Sequence, residues 1–284
     1  MSFQNLIDWQ RAIYPKIKAI DFGNPSTRLS DRVTALTYFF WNDKRIDTEF
    51  WRIEFSFLCT FRCCGLLPSV IVTNRKTSLM ESFAEKFPNV TVLTEKLLGE
   101  VSNGVKALCI ESISRMHTRF QTEYVLTIQN DGMPINPGLE RFVGKYDYIG
   151  APWPRFVGYT DFYPYPRFGV GNGGFSLRSR RICTAAAEAY GKIANRMPFV
   201  QYFLGDDVFY CRTMPLFSRA WRKAFVYAPI ADAARFSIEC VTPYTPISPP
   251  LGFHRNGFDN YVKRFGVPMD DLLPDTSTPR APTI

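Results

Sequence analysis

The sequence predicts an α/β fold, with a central, mostly parallel sheet flanked by helices in a single domain. Three observations predict it. Apolar runs of strand length alternate with helically spaced stretches between residues 69 and 132, and such alternation implies a parallel sheet covered by helices. The 284 residues are 46% hydrophobic and 15% aromatic, enough to bury a sizeable core and unlike a disordered chain. No window of 18 or more apolar residues occurs, so no membrane-spanning helix is expected.

Taken in order, residues 3–20 have a helical pattern carrying Trp9, Ile13, Tyr14 and Ile17. That face suits either the core or a membrane surface, and the core is the plainer expectation. VTALTYFF (33–40) and FWRIEFSFLCTF (50–61) are β-branched and aromatic and read as strands, the second with a helical alternative. SVIVTNRK (69–76) is a strand with a polar end, and SLMESFAEKF (78–87) has helical spacing at Leu79, Phe83 and Phe87. VTVLTEK (90–96) is the next strand. VKALCIESISRMHTRF (105–120) repeats Val105, Leu108, Ile113 and Met116 as a helix does, and EYVLTIQNDG (123–132) is a strand running into a polar turn. Residues 1–65 thus hold an N-terminal helix and the first strands, 66–257 the core of the domain, and 258–284 a C-terminal helix and a frayed tail. From 152 to 174 the chain is dense in Pro, Gly and aromatics, which suits a site built from loops.

The net charge of +8 and pI near 9.1 favour anionic partners such as phosphates, nucleotides or an acidic membrane face, and select none of them. No arginine-rich run or nucleic-acid signature is present, so no nucleic-acid partner is expected. Seven cysteines without a CxxC pair, and only two histidines, argue against a structural zinc site and for reduced core thiols in a cytosolic protein. The first twenty residues break their apolar runs with Gln, Asn, Asp and Arg, unlike a signal peptide.

Ligands of open α/β sheets bind beyond the carboxyl ends of the strands. The residues at such ends are Thr73 and Asn74, followed by Arg75 and Lys76, then Glu95, and Gln129-Asn130-Asp131-Gly132. Asp131 could ligate a hard divalent cation, or could bond its own backbone in a simple turn. In YDYIGAPW (146–153), Trp153 is equally a core residue or a stacking platform. In VGNGGFSLRSRR (170–181), Gly171, Gly173 and Gly174 remove side chains where the backbone must approach something closely. Ser179 can cap a following helix with Ile182, Ala186, Ala189 and Ile193 on one face. In GDDVFYC (205–211), Asp206 and Asp207 could cap a helix, or one could project as a general base. His254 lies in LGFHRNG (251–257), whereas His117 falls on the helix at 105–120.

The order of these motifs resembles the nucleotide-sugar glycosyltransferases of the GT-A fold. More narrowly, QNDG, YDYIGAPW, VGNGGFSLRSR, DDVFYC, ARFSIE and GFH, spread over residues 66–257, look like a little-characterised family of bacterial polysaccharide-associated proteins labelled as a domain of unknown function. The resemblance implies that Asp131 holds a metal, Mn²⁺ or Mg²⁺, with His254 as second protein ligand. It also implies that Asp207 is the catalytic base, beside Asp206. The donor side would comprise Gln129, Asn130, Gly173 and Gly174 with Thr73, Asn74 and Arg75. Arg75, Lys76 and Arg255 could meet diphosphate charge. A crevice lined by Trp153, Tyr163 and Tyr165 would suit a sugar acceptor, whose C–H faces stack on aromatic rings.

The implied reaction moves a hexose from a nucleoside diphosphate sugar, expected to be a UDP-sugar, to a saccharide or lipid-linked saccharide, with inversion, in bacterial surface polysaccharide synthesis. The implied location is the cytoplasm, with peripheral contact to the inner face of the membrane. Two departures from the family pattern stand out: only the last position of Gln-Asn-Asp is a carboxylate, and the acidic pair is Asp-Asp where Glu-Asp is usual, so Asp206 could fall short of its partner. Two other readings use the same residues, a metal-dependent phosphate or sugar-phosphate hydrolase and a non-catalytic glycan-binding domain.

Overall fold

The computed structural model describes residues 5–23, 29–40, 45–96, 104–153, 169–196, 205–240 and 246–272. Helix α1 (Leu6–Lys18) starts at Asn5, whose side chain accepts from the Asp8 amide. Trp9, Ile13 and Ile17 are fully buried, and the Trp9 indole donates to the Pro268 carbonyl at 2.9 Å. The apolar face of α1 therefore packs on the core and is not free to lie on a membrane. Strand β1 (Val33–Phe39) is buried at every position, as a parallel strand covered on both faces must be.

The stretch read as a second strand with a helical alternative is a helix, α2 (Arg45–Cys64). Ile46, Phe50, Ile53, Phe57, Phe61 and Cys64 are all buried and recur at helical spacing, and this periodicity overrides the strand preference of aromatic and β-branched residues. The alternation that follows agrees with expectation: β2 (Ser69–Thr73), α3 (Ser78–Lys86) and β3 (Val90–Thr94). Helix α4 (Gly104–Ser114) stops earlier than its pattern predicts, and a 3₁₀ turn over Met116–Thr118 takes the rest. Strand β4 (Tyr124–Thr127) also ends early, because Gln129 and Gly132 bond each other across a tight turn.

The second half adds β5 (Gly132–Pro134), β6 (Tyr148–Ile149) and β7 (Ser176–Ser179), which leads into α5 (Arg180–Arg196). Ser179 caps α5, its hydroxyl accepting from the Ile182 amide at 3.2 Å. A further helix opens at Asp206–Val208 (α6), loosens into a π turn over Phe209–Thr213 and resumes as α7 (Met214–Phe217). Then come α8 (Arg219–Ala224), α9 (Ile230–Phe236), β8 (Ser237–Ile238), β9 (Gly252–His254) and α10 (Gly257–Phe265). The main sheet has the order β3-β2-β1-β4-β7-β6. Its first four strands are parallel, β7 runs antiparallel to β4, and β6 pairs antiparallel to β7 and so runs in the direction of the first four. A small sheet, β5-β9-β8, stands beside it. The strand order reverses across β1 and β4, which puts the expected ligand crevice at their carboxyl ends.

All seven cysteines are free thiols, and burial pushes those of Cys59, Cys64 and Cys183 up, which leaves them unreactive. Among the described residues no helix is long and apolar enough to cross a membrane.

Candidate active site

Strand register assembles the first half of the site. The turn after β4 carries Asn130 and Asp131 at its tip, and β5 pairs with β9 so that Gly132 faces His254. Asp131 is thereby set beside His254, with its Oδ1 at 3.5 Å from Nε2. The Arg255 amide donates to the Asp131 carbonyl at 2.8 Å, and the Arg255 Nε lies 3.7 Å from Asp131 Oδ2. The turn is held from behind by N-terminal helices: Ser56 Oγ donates to the Gln129 carbonyl at 2.8 Å, and Gln10 Nε2 to that of Asn130 at 2.7 Å. Burial works to raise the Asp131 carboxyl, but pairing with His254, and then with Arg255 and Arg52, holds it below the ordinary range. Burial opposes charge on His254, yet the flanking Asp131 and Glu239 carboxylates lift its imidazole to about 9.

The glycine loop forms the bridge. Antiparallel pairing of β4 with β7, Thr127 opposite Ser176, lays residues 170–175 against the end of β4. Asn172 has φ of +72°, a conformation Asn tolerates, and its Oδ1 accepts from the amides of Gly174 (3.0 Å) and Phe175 (3.3 Å). A Cβ on Gly171 would lie 1.8 Å from the Trp153 ring, one on Gly173 2.3 Å from Asp206 Oδ1, and one on Gly174 2.2 Å from His254 Nε2. The close approach that the glycines imply is thus first of all to protein groups. A Cβ on Gly150 would meet the Gly171 carbonyl at 1.9 Å, so the YIGAPW and GNGGFSLR stretches are packing partners.

This geometry predicts a contrast. Gly174→Ala is expected to cost about 1–3 kcal/mol by overpacking, whereas Gly191→Ala, with nothing within 4 Å of its new Cβ in helix α5, should gain about 0.5–1 kcal/mol. Urea unfolding of the two variants checks both signs.

The acidic pair supplies the second half, and its two members point to different partners. Asp206 Oδ2 accepts from Arg178 Nη2 at 2.7 Å and from Ser112 Oγ at 2.8 Å. Asp206 is thus held by one guanidinium and one hydroxyl. Arg178 is fully buried; it also donates to Ser176 Oγ (3.0 Å), Ser112 Oγ (3.1 Å) and the Gly173 carbonyl (3.2 Å). Its guanidinium lies 5.3 Å from the Tyr148 ring centroid and 4.7 Å from that of Tyr210. Asp207, partly exposed, accepts from the Gly173 amide at 3.2 Å and from the Val208 amide at 2.8 Å. Its dry surroundings, then the Asp206 and Glu239 charges, push its carboxyl up to about 6. A partly open carboxylate with that value suits proton abstraction near neutral pH.

Other sequence candidates lie elsewhere or have other partners. Thr73 Oγ1 turns back onto the backbone of Arg75, donating to its carbonyl at 3.0 Å, and the Arg75 guanidinium pairs with Asp47 at 2.9 Å. Trp153 is buried over Gly171, with the Arg212 guanidinium 5.2 Å from its ring; this fits the core reading better than an open stacking platform. Tyr163 and Tyr165 lie outside the described residues. Asp147 is structural, accepting from Ser179 Oγ (2.6 Å) and the Val226 amide (2.8 Å). Arg178, Ser112 and Glu239 are members of the site that sequence reasoning assigned no role. The only advance signals were an Arg alternating with apolar residues in a strand and the ARFSIE motif.

Asp131 and His254 fit a divalent ion. Asp131 Oδ1 is buried and accepts no hydrogen bond, and it faces an imidazole nitrogen. Carboxylate oxygen with imidazole nitrogen suits Mn²⁺, and the carboxylate suits Mg²⁺. Among the described residues no group of three or more His, Cys, Asp or Glu gathers to hold a metal. Such an ion would therefore draw the rest of its shell from water or a ligand.

A family model described as "Protein of unknown function (DUF5672)" matches residues 89–254, more than half of the chain. No curated protein matches the sequence. Among solved structures, the chain is similar to the mannosyltransferase Ktr4p from S. cerevisiae in complex with GDP, at 10% identity over 78% of this chain and 77% of that one, with a TM-score of 0.49. It is also similar to core-mannan synthase A from Aspergillus fumigatus in its Mn/GDP form, at 9% identity over 71% and 74% of the two chains, with a TM-score of 0.48. A glycosyltransferase involved in the glycosylation of the major capsid of PBCV-1 shares 12% identity over 78% and 92% of the two chains, with a TM-score of 0.41. These are likenesses of outline, and no residue role is carried over from them.

Proposed function

The chain belongs to the DUF5672 family, and from that premise we propose that it is a glycosyltransferase acting on a nucleoside diphosphate sugar. One observation carries the reading. Gly173 touches the acidic pair and Gly174 touches His254, and adjacent Cα atoms are about 3.8 Å apart. An ion-holding half (Asp131 and His254, with Arg255 beside them) and a proton-accepting half (Asp207) therefore flank two consecutive residues of one loop. Glycosyl transfer needs both, one for the diphosphate that leaves and one for the hydroxyl that attacks.

In this reading Asp207 takes the acceptor hydroxyl proton as that oxygen forms its bond to the anomeric carbon. The bond from that carbon to the diphosphate oxygen breaks, and the electron pair leaves with the diphosphate. Displacement from the face opposite the leaving group inverts the anomeric centre. Arg255 meets the developing negative charge. Asp131 and His254 would hold the divalent ion, which when bound supplies further charge to the leaving group. Asp206, tied to Arg178, fixes the start of α6 and so aims Asp207. A UDP-sugar is the first donor to test and a GDP-sugar the second. The acceptor proposed is a saccharide or lipid-linked saccharide of bacterial surface polysaccharide synthesis, at the cytoplasmic face of the membrane.

The test is nucleoside diphosphate release from a panel of sugar nucleotides, with and without oligosaccharide acceptors. Acceptor-dependent release that Asp207→Asn abolishes supports the proposal. Release that needs no acceptor favours a hydrolase, and no release from any donor favours a binding domain.

A further inference from the structure

Glu239 follows β8, which runs parallel to β9 with Ile238 opposite Phe253. The next residues along the two strands, Glu239 and His254, are therefore neighbours, and Glu239 Oε1 lies 3.0 Å from His254 Nδ1. The other ring nitrogen, Nε2, faces Asp131 Oδ1 at 3.5 Å and Gln129 Oε1 at 3.4 Å. The ring has little room to turn. A Cβ on Gly132 would come within 2.7 Å of its Cδ2, one on Gly174 within 2.2 Å of its Nε2, and His254 is 3% exposed.

We propose that Glu239 is a positioning residue for the ion-holding half of the site: it accepts the His254 Nδ1–H and so leaves Nε2, beside Asp131, as the nitrogen whose proton a divalent ion would displace. A neutral imidazole carries one N–H and one lone pair, and the partner of one nitrogen decides the role of the other. Metal-binding histidines commonly donate their second N–H to a carboxylate in this way. Without Glu239 the proton could sit on Nε2, where Gln129 Oε1 would accept it, and the ligand lone pair would point away from Asp131. The ARFSIE motif, whose last residue is Glu239, thereby acquires a role.

The inference rests on the divalent-ion reading above, and the experiment separates the two. Mn²⁺ binding in the presence of UDP, or of GDP if UDP does not bind, is measured by calorimetry for wild type, Glu239→Gln and Glu239→Ala, with thermal melts to confirm folding. Glu239→Ala is expected to bind Mn²⁺ about 10–100-fold more weakly, and Glu239→Gln, whose amide oxygen can still accept the Nδ1–H, to recover most of that loss. Wild-type affinity in a folded Glu239→Ala overturns the inference while leaving the ion reading in place. No Mn²⁺ binding by wild type, with nucleotide still bound, removes both. A second readout needs no variant. The chain has only two histidines, so ¹⁵N-histidine NMR of the Mg²⁺- and nucleotide-loaded protein should show His254 protonated at Nδ1, and protonation at Nε2 would contradict the assignment.

Discussion

Asp207→Asn is expected to lower kcat by about 10²–10⁴-fold, the usual worth of a positioned general base, while donor binding survives. The amide keeps the size of the carboxylate, and its oxygen can still accept from the Gly173 or Val208 amide, so the start of α6 should hold its place. Two pH measurements sharpen the prediction. The base works ionised, and its folded value is raised to about 6, so kcat/KM should climb as pH rises through about 6 and that limb should vanish in the variant. Stability should move the opposite way. The fold disfavours the charged form, so a penalty develops between the ordinary value of 3.8 and about 6 and is fully present above it. Relieved of repulsion from Asp206 and Glu239, the Asn variant should melt no lower than wild type at pH 7. A variant that retains wild-type turnover would remove Asp207 from the chemistry.

Arg178→Met is expected to be the most destabilising single change in the crevice, at about 3–5 kcal/mol, because it leaves Asp206 as an unpaired buried charge. For a chain of this size that is a fall in Tm on the order of 10 °C. The side chain is fully buried between Tyr148 and Tyr210 and bonded to Asp206, Ser112, Ser176 and the Gly173 carbonyl, so water cannot replace what is lost. Adding Asp206→Asn should restore part of the stability, since the stranded charge is gone, and the coupling should appear in a double-mutant cycle. Activity should not return with it, because the acidic pair and the glycine loop would still lack their common anchor. A single-variant loss below about 1 kcal/mol would show that the pair is not desolvated as described.

The alternation from β2 to β4 was legible because each element announces itself within a few residues, through a short apolar run or a helical repeat. Asp131 and the Asp206–Asp207 pair were legible as a strand end and a helix start. Residues 50–61 admit both strand and helix, because their Phe and Ile residues favour strands by type and only their spacing favours the helix that forms over 45–64. Arg178 could not be read in advance: its meaning depends on Asp206, 28 residues on, and on Ser112, 66 residues back. Glu239 was hidden behind a two-residue strand whose register is a tertiary property. The glycines announced a close approach, but which groups approach, Trp153, Asp206 and His254, is visible only in three dimensions.

The measurement that bears most directly on the central claim is calorimetric binding of UDP, then GDP, with and without Mn²⁺, to wild type and Asp131→Ala. The account predicts that one nucleoside diphosphate binds wild type more tightly with Mn²⁺ and that Asp131→Ala loses this enhancement while remaining folded. Failure of both nucleotides to bind wild type, with or without Mn²⁺, would contradict it.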